Sequence, residues 1–292
     1  MARIIDGMEN VFVLLDDVLI ISTDWHEHLK TLDEFLNRCI QNGITLKPSK
    51  TKIAAEAIDY LGFRLSRDGI EPLQEKIQAI IKQPIPKSRR QMRKFIGMTN
   101  FYSRFVKNSS RLLAPLYKLC GVSKTPFRLT SNHLKAFEEY KKSLGKYIQL
   151  SHRDDSKKLV LMTDRTSAGF TGSLHQIGDD EKLEPLGFVS RSLKPAEQRL
   201  EACYQDFLGL VWTLEQFSWE ITGQHVLLIT DHSSLKRVLN EINRNQPLPV
   251  RVNNAHARLS KFNVDTLNKN DIEDMTVTQN VFSKAIILSY RA

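Results

Sequence analysis

Two short apolar runs near the start of the chain enclose a pair of acids. The runs cover 11–15 and 18–21, and Asp16 and Asp17 lie between them. This pattern predicts a β-hairpin with both acids at its turn, and with buried strands because both strand faces are apolar. Neighbouring carboxylates repel unless a cation lies between them, so the turn is either a divalent-metal site or an ordinary exposed Asp-Asp turn.

The segments that follow show helical and strand periodicity. Short strands are expected at 44–52 and 57–65. Gly43 stands where a helix C-terminal glycine belongs. Apolar residues at helical spacing predict amphipathic helices over five segments: 25–42, 73–82, 88–105, 112–121 and 130–144.

From residue 159 the pattern changes. It predicts strands over 159–163, 169–175, 186–190 and 226–230, with one long helix over 195–222. Three strands, a helix and a returning strand are typical of an α/β domain on a mixed sheet.

Three acids belong to this second half of the chain. Asp164 and Asp231 each follow a Thr at the end of a predicted buried strand, and Asp206 lies on the intervening helix. The two strand-end acids either cap separate loops or converge at one end of the sheet, where Asp206 can join them.

Positive charge is concentrated in one stretch. Between 82 and 111 there are nine Lys and Arg residues and no Asp or Glu, against a net charge of +9 for the whole chain. A solvated helix face usually mixes signs, so this stretch predicts a surface that contacts phosphates. The residues expected to bind nucleic acid are Lys87, Arg89, Arg90, Arg93, Lys94, Arg104 and Lys107.

Composition narrows the class of protein. A chain of 292 residues with 41% apolar content has room for two domains and a sizeable core. It has no apolar run near 20 residues and no secretory pattern, so we expect no membrane span and no export. Three widely spaced cysteines argue for a reducing, intracellular compartment, cytoplasmic or nuclear.

The hairpin and the basic stretch both resemble one family. The order of residues around Asp16-Asp17 resembles the palm motif of reverse transcriptases from gypsy-type LTR retrotransposons, although that motif normally has Tyr where this chain has Leu14. The run Tyr60-Leu61-Gly62 resembles the primer-grip region, and the pattern over 95–105 resembles the thumb, which holds the template–primer duplex.

The second half resembles retrotransposon RNase H. The blocks that carry this likeness are Thr163-Asp164, 188–193, Gln198-Arg199, 211–217, 221–223 and 230–235. The resemblance implies cleavage of the RNA strand of an RNA–DNA hybrid by two Mg²⁺ ions held by Asp, Glu, Asp and Asp. Those positions fall on Asp164, Asp206, Asp231 and Asn280, so two of the four depart from the family.

The resemblance implies an α/β chain, with an α+β palm and helical thumb followed by an RNase H-like mixed-sheet domain. We expect the end of the palm at 1–72, thumb and connection at 73–150, and the RNase H-like domain at 151–292. The implied metal ligands are Asp16, Asp17, Asp164 and Asp231, with Asp206 catalytic beside them.

Two functions remain open at this point. The first is a segment of a reverse transcriptase/RNase H that acts on RNA–DNA hybrid or duplex, incomplete as a polymerase and weakened as a nuclease. The second is a catalytically silent nucleic-acid-binding relic or host-retained copy. The sequence lacks the fingers and the first half of the palm, so the remainder of a Pol polyprotein is an expected partner, and Leu14, Asp206 and Asn280 favour the silent alternative.

Overall fold

The chain divides into two compact units, Met1–Leu61 and Gly62–Ala292. A computed structural model describes the following residues: 3–121, 126–166, 169–230, 237–238, 241–242, 244, 246–262 and 264–265. No helix in these described parts is long and apolar enough to cross a bilayer.

The first unit is a hairpin packed on one helix. Its elements are β1 (Val11–Leu14), β2 (Asp17–Ile20), α1 (Trp25–Gln41) and β3 (Ala57–Tyr60). Asp24 begins α1, because its side chain accepts a hydrogen bond from the Glu27 backbone at 2.9 Å. Gly43 follows the helix with a φ of 67°, as the sequence predicted.

Two expectations for this unit are wrong. The hairpin strands are not buried on both faces, since Phe12 and Leu14 are 51% and 50% exposed. The face with Val18 and Ile20 packs on the α1 core around Phe35. The expected strand over 44–52 is instead irregular, with a 3₁₀ turn at Pro48–Lys50, because Pro48 has no N–H to give to a strand ladder.

The second unit begins with a hairpin and four helices. These are β4 (Phe63–Ser66), β5 (Gly69–Pro72), α2 (Gln74–Ile81), α3 (Arg89–Phe101), α4 (Ser109–Cys120) and α5 (Ser131–Leu144). Their inward faces meet in one apolar core, where Phe95 and Phe137 lie 4.6 Å apart between ring centroids and Tyr140 is fully buried. The helices predicted from periodicity are therefore present, but the one expected over 88–105 ends at Phe101 and is followed by a 3₁₀ turn at Ser103–Phe105.

A five-stranded sheet follows. Its strands are β6 (Leu159–Thr166), β7 (Gly169–Ile177), β8 (Leu183–Ser192), β9 (Val226–Thr230) and β10 (Val264–Asp265), in the order β10-β9-β6-β7-β8. β6 runs antiparallel to β7 and parallel to β9, which confirms the predicted α/β domain on a mixed sheet.

Helices cover both faces of this sheet. One face packs on α6 (Ala202–Gln216), which also contacts α8 (Val250–Leu259). On the other face, α4 packs against β8, where the Ser110 backbone N–H donates to the Ser190 hydroxyl at 2.8 Å. The sheet therefore has α6 on one face and α4 against its β8 edge on the other.

Two further boundaries differ from prediction. The helix expected over 195–222 is shorter and broken, forming α6 and then α7 (Ser218–Ile221). The segment before α6 is held in turns because the Glu197 carboxylate accepts from the Lys194 backbone at 2.8 Å and from Arg191 at 2.7 Å. The strand expected to end at Thr163 continues to Thr166, because it stays paired with β7 along that whole length.

Candidate functional site

The first candidate site is the hairpin tip. Leu14 pairs with Asp17, so the turn is the two-residue loop Leu15-Asp16, and Asp17 is the first residue of β2 rather than part of the turn. Leu15 takes a φ of 57°, the positive value that the first position of a tight hairpin loop requires. Both carboxylates are exposed, and the structure leaves them accessible to a hydrated cation.

Asp17 also has an identifiable neighbour. Burial raises the pKa of the Tyr60 hydroxyl, and the charge on Asp17 raises it further. Tyr60 therefore stays protonated at neutral pH and can serve as a hydrogen-bond donor close to that carboxylate. The resemblance of Tyr60 to a primer-grip residue did not point to this proximity.

Asp164 lies within β6, opposite Thr171 of β7. Its direction follows from the alternation of side chains along a strand. A Cβ on Gly172, which is opposite Thr163, would overlap the Thr213 side chain of α6. Thr163 therefore faces α6, and Asp164 faces the other side of the sheet, where it borders a pocket.

Asp206 lies on the α6 side. It is 5% exposed, and Nε of Arg165 donates a hydrogen bond to its Oδ1. Arg165 follows Asp164 in β6 and so projects from the opposite face, towards α6. The structure thus places Asp164 and Asp206 on opposite faces of the sheet, with the Asp206 carboxylate engaged by a guanidinium.

The carboxylates that the structure describes do not assemble around a metal in this domain. Within the described residues, no three His, Cys, Asp or Glu side chains form a group that could hold an ion. Asp231 and Asn280 lie outside those residues. A two-metal site needs several anionic oxygens directed at one point, and Asp206 as placed does not supply one.

The predicted basic residues divide into two sets. Lys87, Arg90 and Lys94 are exposed at the start of α3 or along it. Arg93 is directed elsewhere, since its Nε and one terminal nitrogen donate to the Cys120 carbonyl at the end of α4, at 3.0 and 2.7 Å. That contact satisfies a helix-end carbonyl and anchors α3 to α4.

The other predicted basic residues are Arg89, Arg104 and Lys107, and the last two are exposed. Arg89 is half-buried, and Arg104 and Lys107 follow α3 near β8. The Lys107 ammonium lies 5.6 Å from the centre of the Phe188 ring.

The exposed face of α3 has two members that the charge pattern missed. Gly97 and Phe101 continue the helical spacing of Arg90 and Lys94, and Phe101 is 52% exposed. A Cβ built on Gly97 would meet nothing within 4 Å, so no packing within the described chain requires a glycine there. The helical spacing of positions 90, 94, 97 and 101 is the feature of the sequence that could have identified Gly97 and Phe101 as members of this face. We call Arg90, Lys94, Gly97 and Phe101 the α3 face.

Comparisons with known proteins match two protein-family models to separate parts of the chain. Residues 1–65 match the family described as reverse transcriptase (RNA-dependent DNA polymerase), and residues 129–228 match the RNase H-like domain found in reverse transcriptase. A segment similar to reverse transcriptase thus precedes a segment similar to the RNase H-like domain of such enzymes. This agrees with the resemblance seen in the sequence.

The similar proteins are transposon polyproteins. The chain is 28% identical over 229 residues to the retrovirus-related Pol polyprotein from transposon 297 of Drosophila melanogaster, covering 78% of this chain and 21% of that protein. It is also 28% identical over 235 residues to the transposon Tf2-3 polyprotein of Schizosaccharomyces pombe, covering 80% and 18%. The chain therefore spans about a fifth of the length of these relatives.

Solved structures show the same fold. A foamy viral protease–reverse transcriptase, designated dRH, in complex with double-stranded DNA has a TM-score of 0.77 at 19% identity, covering 90% of this chain and 46% of that one. A foamy viral protease–reverse transcriptase in complex with RNA/DNA hybrid has a TM-score of 0.76 at 19% identity, covering 90% and 36%. At this identity the likeness concerns the fold.

Proposed function

We propose that this chain is a segment of a gypsy-type retrotransposon Pol protein that binds duplex or RNA–DNA hybrid through the α3 face. The observation that carries the proposal is the composition of that face. Two cations, one uncovered glycine and one half-exposed aromatic ring follow each other along one side of a helix, within a stretch from 82 to 111 that contains no acid.

Each member of the α3 face suits a nucleic-acid strand. Arg90 and Lys94 supply charge for phosphates. Gly97 lets a sugar or backbone approach the helix closely, and Phe101 offers an apolar ring to a sugar or base. A glycine within a helix costs about 1 kcal/mol relative to alanine, so a partner that needs close approach explains its presence there.

The similar structures support this class of partner. The foamy viral proteins named above were solved with double-stranded DNA and with RNA/DNA hybrid. The predicted division into palm end (1–72), thumb and connection (73–150) and RNase H-like domain (151–292) belongs to the proposal, as does an intracellular, nuclear or cytoplasmic setting.

A salt titration tests the surface. Fluorescence anisotropy of a labelled hybrid is measured with the full chain and with the double variant Arg90→Gln/Lys94→Gln. The log–log salt slope should flatten by about 0.9 for each phosphate interaction that the variant removes. The control is Lys142→Gln/Lys146→Gln, which removes two exposed lysines from outside the α3 face. Equal log–log salt slopes for the variant, the control and the unmodified chain would show that the α3 face is not the nucleic-acid-binding surface.

Gly97→Ala separates binding from stability. Because the added methyl meets open space in an exposed helix, the variant should unfold with a free energy higher by up to about 1 kcal/mol. The same methyl should weaken hybrid binding by obstructing close approach. A variant that is stabilised and binds as well as the parent would show that nothing approaches this position.

Catalysis is a separate part of the proposal. The exposed pair Asp16-Asp17 suits Mg²⁺ on one side of a polymerase site, but a two-metal polymerase also needs an acid from another segment. We therefore expect no primer extension by this chain on an RNA template with Mg²⁺ or Mn²⁺. Clear incorporation of nucleotides by the purified protein would overturn this expectation.

Hybrid cleavage should be absent or weak. The Arg165–Asp206 pair favours the silent, binding-only alternative, because it engages the carboxylate that stands at the family's Glu position. Asp206→Glu, alone or together with Asn280→Asp, should restore little, because Asp206 is engaged by Arg165 on the sheet face opposite to that of Asp164. Cleavage of a labelled RNA–DNA hybrid is measured for these variants. Asp164→Asn is the control, and it should abolish any cleavage that the other substitutions restore. Robust cleavage by the unmodified chain would contradict the weakened site.

A further inference from the structure

Helix α1 carries an apolar stripe that the described part of the chain leaves exposed. Four large side chains form it, and their exposed fractions are 59% for Trp25, 45% for Leu29, 38% for Leu36 and 75% for Ile40. Their spacing of four and seven residues puts all four on one side of the helix, over a length of roughly 22 Å. Single exposed apolar residues are ordinary, whereas a continuous strip of this kind marks an interaction surface.

This stripe is separate from the side of α1 that packs inside the first unit. Phe35 and Cys39 are 4% and 2% exposed and belong to the core that Val18 and Ile20 of the hairpin pack against. Consecutive helical residues are turned by about 100°, so Leu36 projects about a quarter of a turn away from Phe35. The helix therefore has a second apolar side, which its packing on the hairpin does not cover.

The middle of the stripe is flanked by charges of both signs. Lys30 and Asp33 are exposed, lie about one helical turn apart, and project on the side of the stripe away from the hairpin. Oδ2 of Asp33 accepts a hydrogen bond from Nδ2 of Asn37 at 3.1 Å, and a carboxylate has room for further donors. The stripe runs from 25 to 40, so its midpoint falls between 32 and 33, close to both charges.

We propose that the stripe is the interface of a homodimer in which α1 packs antiparallel against α1 of a second copy of this chain. A two-fold axis through the midpoint of the stripe places Trp25 opposite the second copy's Ile40, and Leu29 opposite its Leu36. The same axis brings Lys30 beside the second copy's Asp33, twice by symmetry. A parallel pair would instead bring like charges and like helix ends together, so the charges favour the antiparallel arrangement.

Sedimentation equilibrium of the full chain, freed of nucleic acid, measures the dimer. The average mass should rise from 33.6 kDa towards twice that value between roughly 1 and 100 μM, the range of a small reversible interface. Leu29→Glu/Leu36→Glu buries charges in the stripe and should weaken association at least about 100-fold. The matched control Trp219→Glu changes an aromatic side chain that is 96% exposed outside α1, and it should associate as the unmodified chain does. A chain that stays monomeric at about 100 μM would overturn the dimer and leave the stripe to a different partner.

Charge changes test the pairing without altering the apolar stripe. Lys30→Glu and Asp33→Lys should each weaken self-association about tenfold, because each sets like charges against each other in both symmetry-related pairs. When the two variants are mixed in equal amounts, they should form the heterodimer in preference to either homodimer, since both pairs then join opposite charges. Association of the mixture that is no stronger than that of each variant alone would refute the antiparallel pairing.

Discussion

Acidification should destabilise the second unit through His175. The ring has an ordinary pKa of 6.5 in the unfolded chain, and burial followed by the Lys107 charge lowers it to about 4 in the native state. Between these values the unfolded chain binds a proton that the native chain does not. The stability is therefore fully present above pH 6.5 and is lost as the pH falls towards 4. A difference of roughly 2.5 pKa units corresponds to about 3 kcal/mol in the free energy of unfolding.

Urea unfolding at pH 7, 5.5 and 4.5 measures this contribution. His175→Gln keeps a polar side chain but cannot titrate, so the difference in unfolding free energy between variant and parent should shrink by up to about 3 kcal/mol across that range. His26→Gln, an exposed histidine on α1, is the control and should leave the pH dependence unchanged. Parallel loss of stability in the parent and His175→Gln would refute the buried, neutral imidazole.

Two further changes test contacts at the sheet. Arg165→Met removes the guanidinium from the buried Asp206 carboxylate and should lower the free energy of unfolding by about 3–5 kcal/mol, with recovery when Asp206→Leu is added. A neutral effect of Arg165→Met in urea unfolding would show that the pair contributes nothing. Gly172→Ala should cost about 1–3 kcal/mol, because its Cβ would overlap Thr213 Cγ2 and force α6 to move; unchanged stability would contradict this close approach.

The sequence predicted those parts of the fold in which periodicity and local signals agree. Helix α1 and its terminating Gly43 are examples, because each rests on neighbours within a few residues. The α/β domain followed from the order of apolar segments. The segment before α6 could not be predicted in the same way, because Glu197 fixes it through Arg191, whose place beside it depends on β8.

The candidate site was predicted less completely than the fold. Asp16 and Asp17 are consecutive residues, so the sequence alone establishes that they lie side by side. Asp164 is separated from Asp206 because Asp164 and Arg165, which are consecutive in β6, project from opposite faces of the sheet. The sequence predicted a strand that ends at Thr163, so it assigned no face to Asp164. The alternation of Leu161 and Thr163 on the core face was the available signal that Asp164 points away from α6.

Binding and catalysis should be separable in this chain. The departures at Leu14 and Asp206 affect groups that would act on metal ions or the primer, whereas the α3 face keeps its charges and a glycine that no internal packing among the described residues explains. If the α3 face alone holds the hybrid, then affinity at fixed ionic strength should be the same in EDTA and in Mg²⁺.

The double variant Asp16→Asn/Asp17→Asn tests this separation directly. It removes two exposed carboxylates, so hybrid affinity should stay the same or rise slightly as negative charge is removed. Arg90→Gln/Lys94→Gln, by contrast, should weaken binding equally with and without Mg²⁺. A Mg²⁺-dependent gain in affinity that disappears in the Asn variant would show that the hairpin tip holds the ion against the nucleic acid, and that binding in this chain still uses its metal ligands.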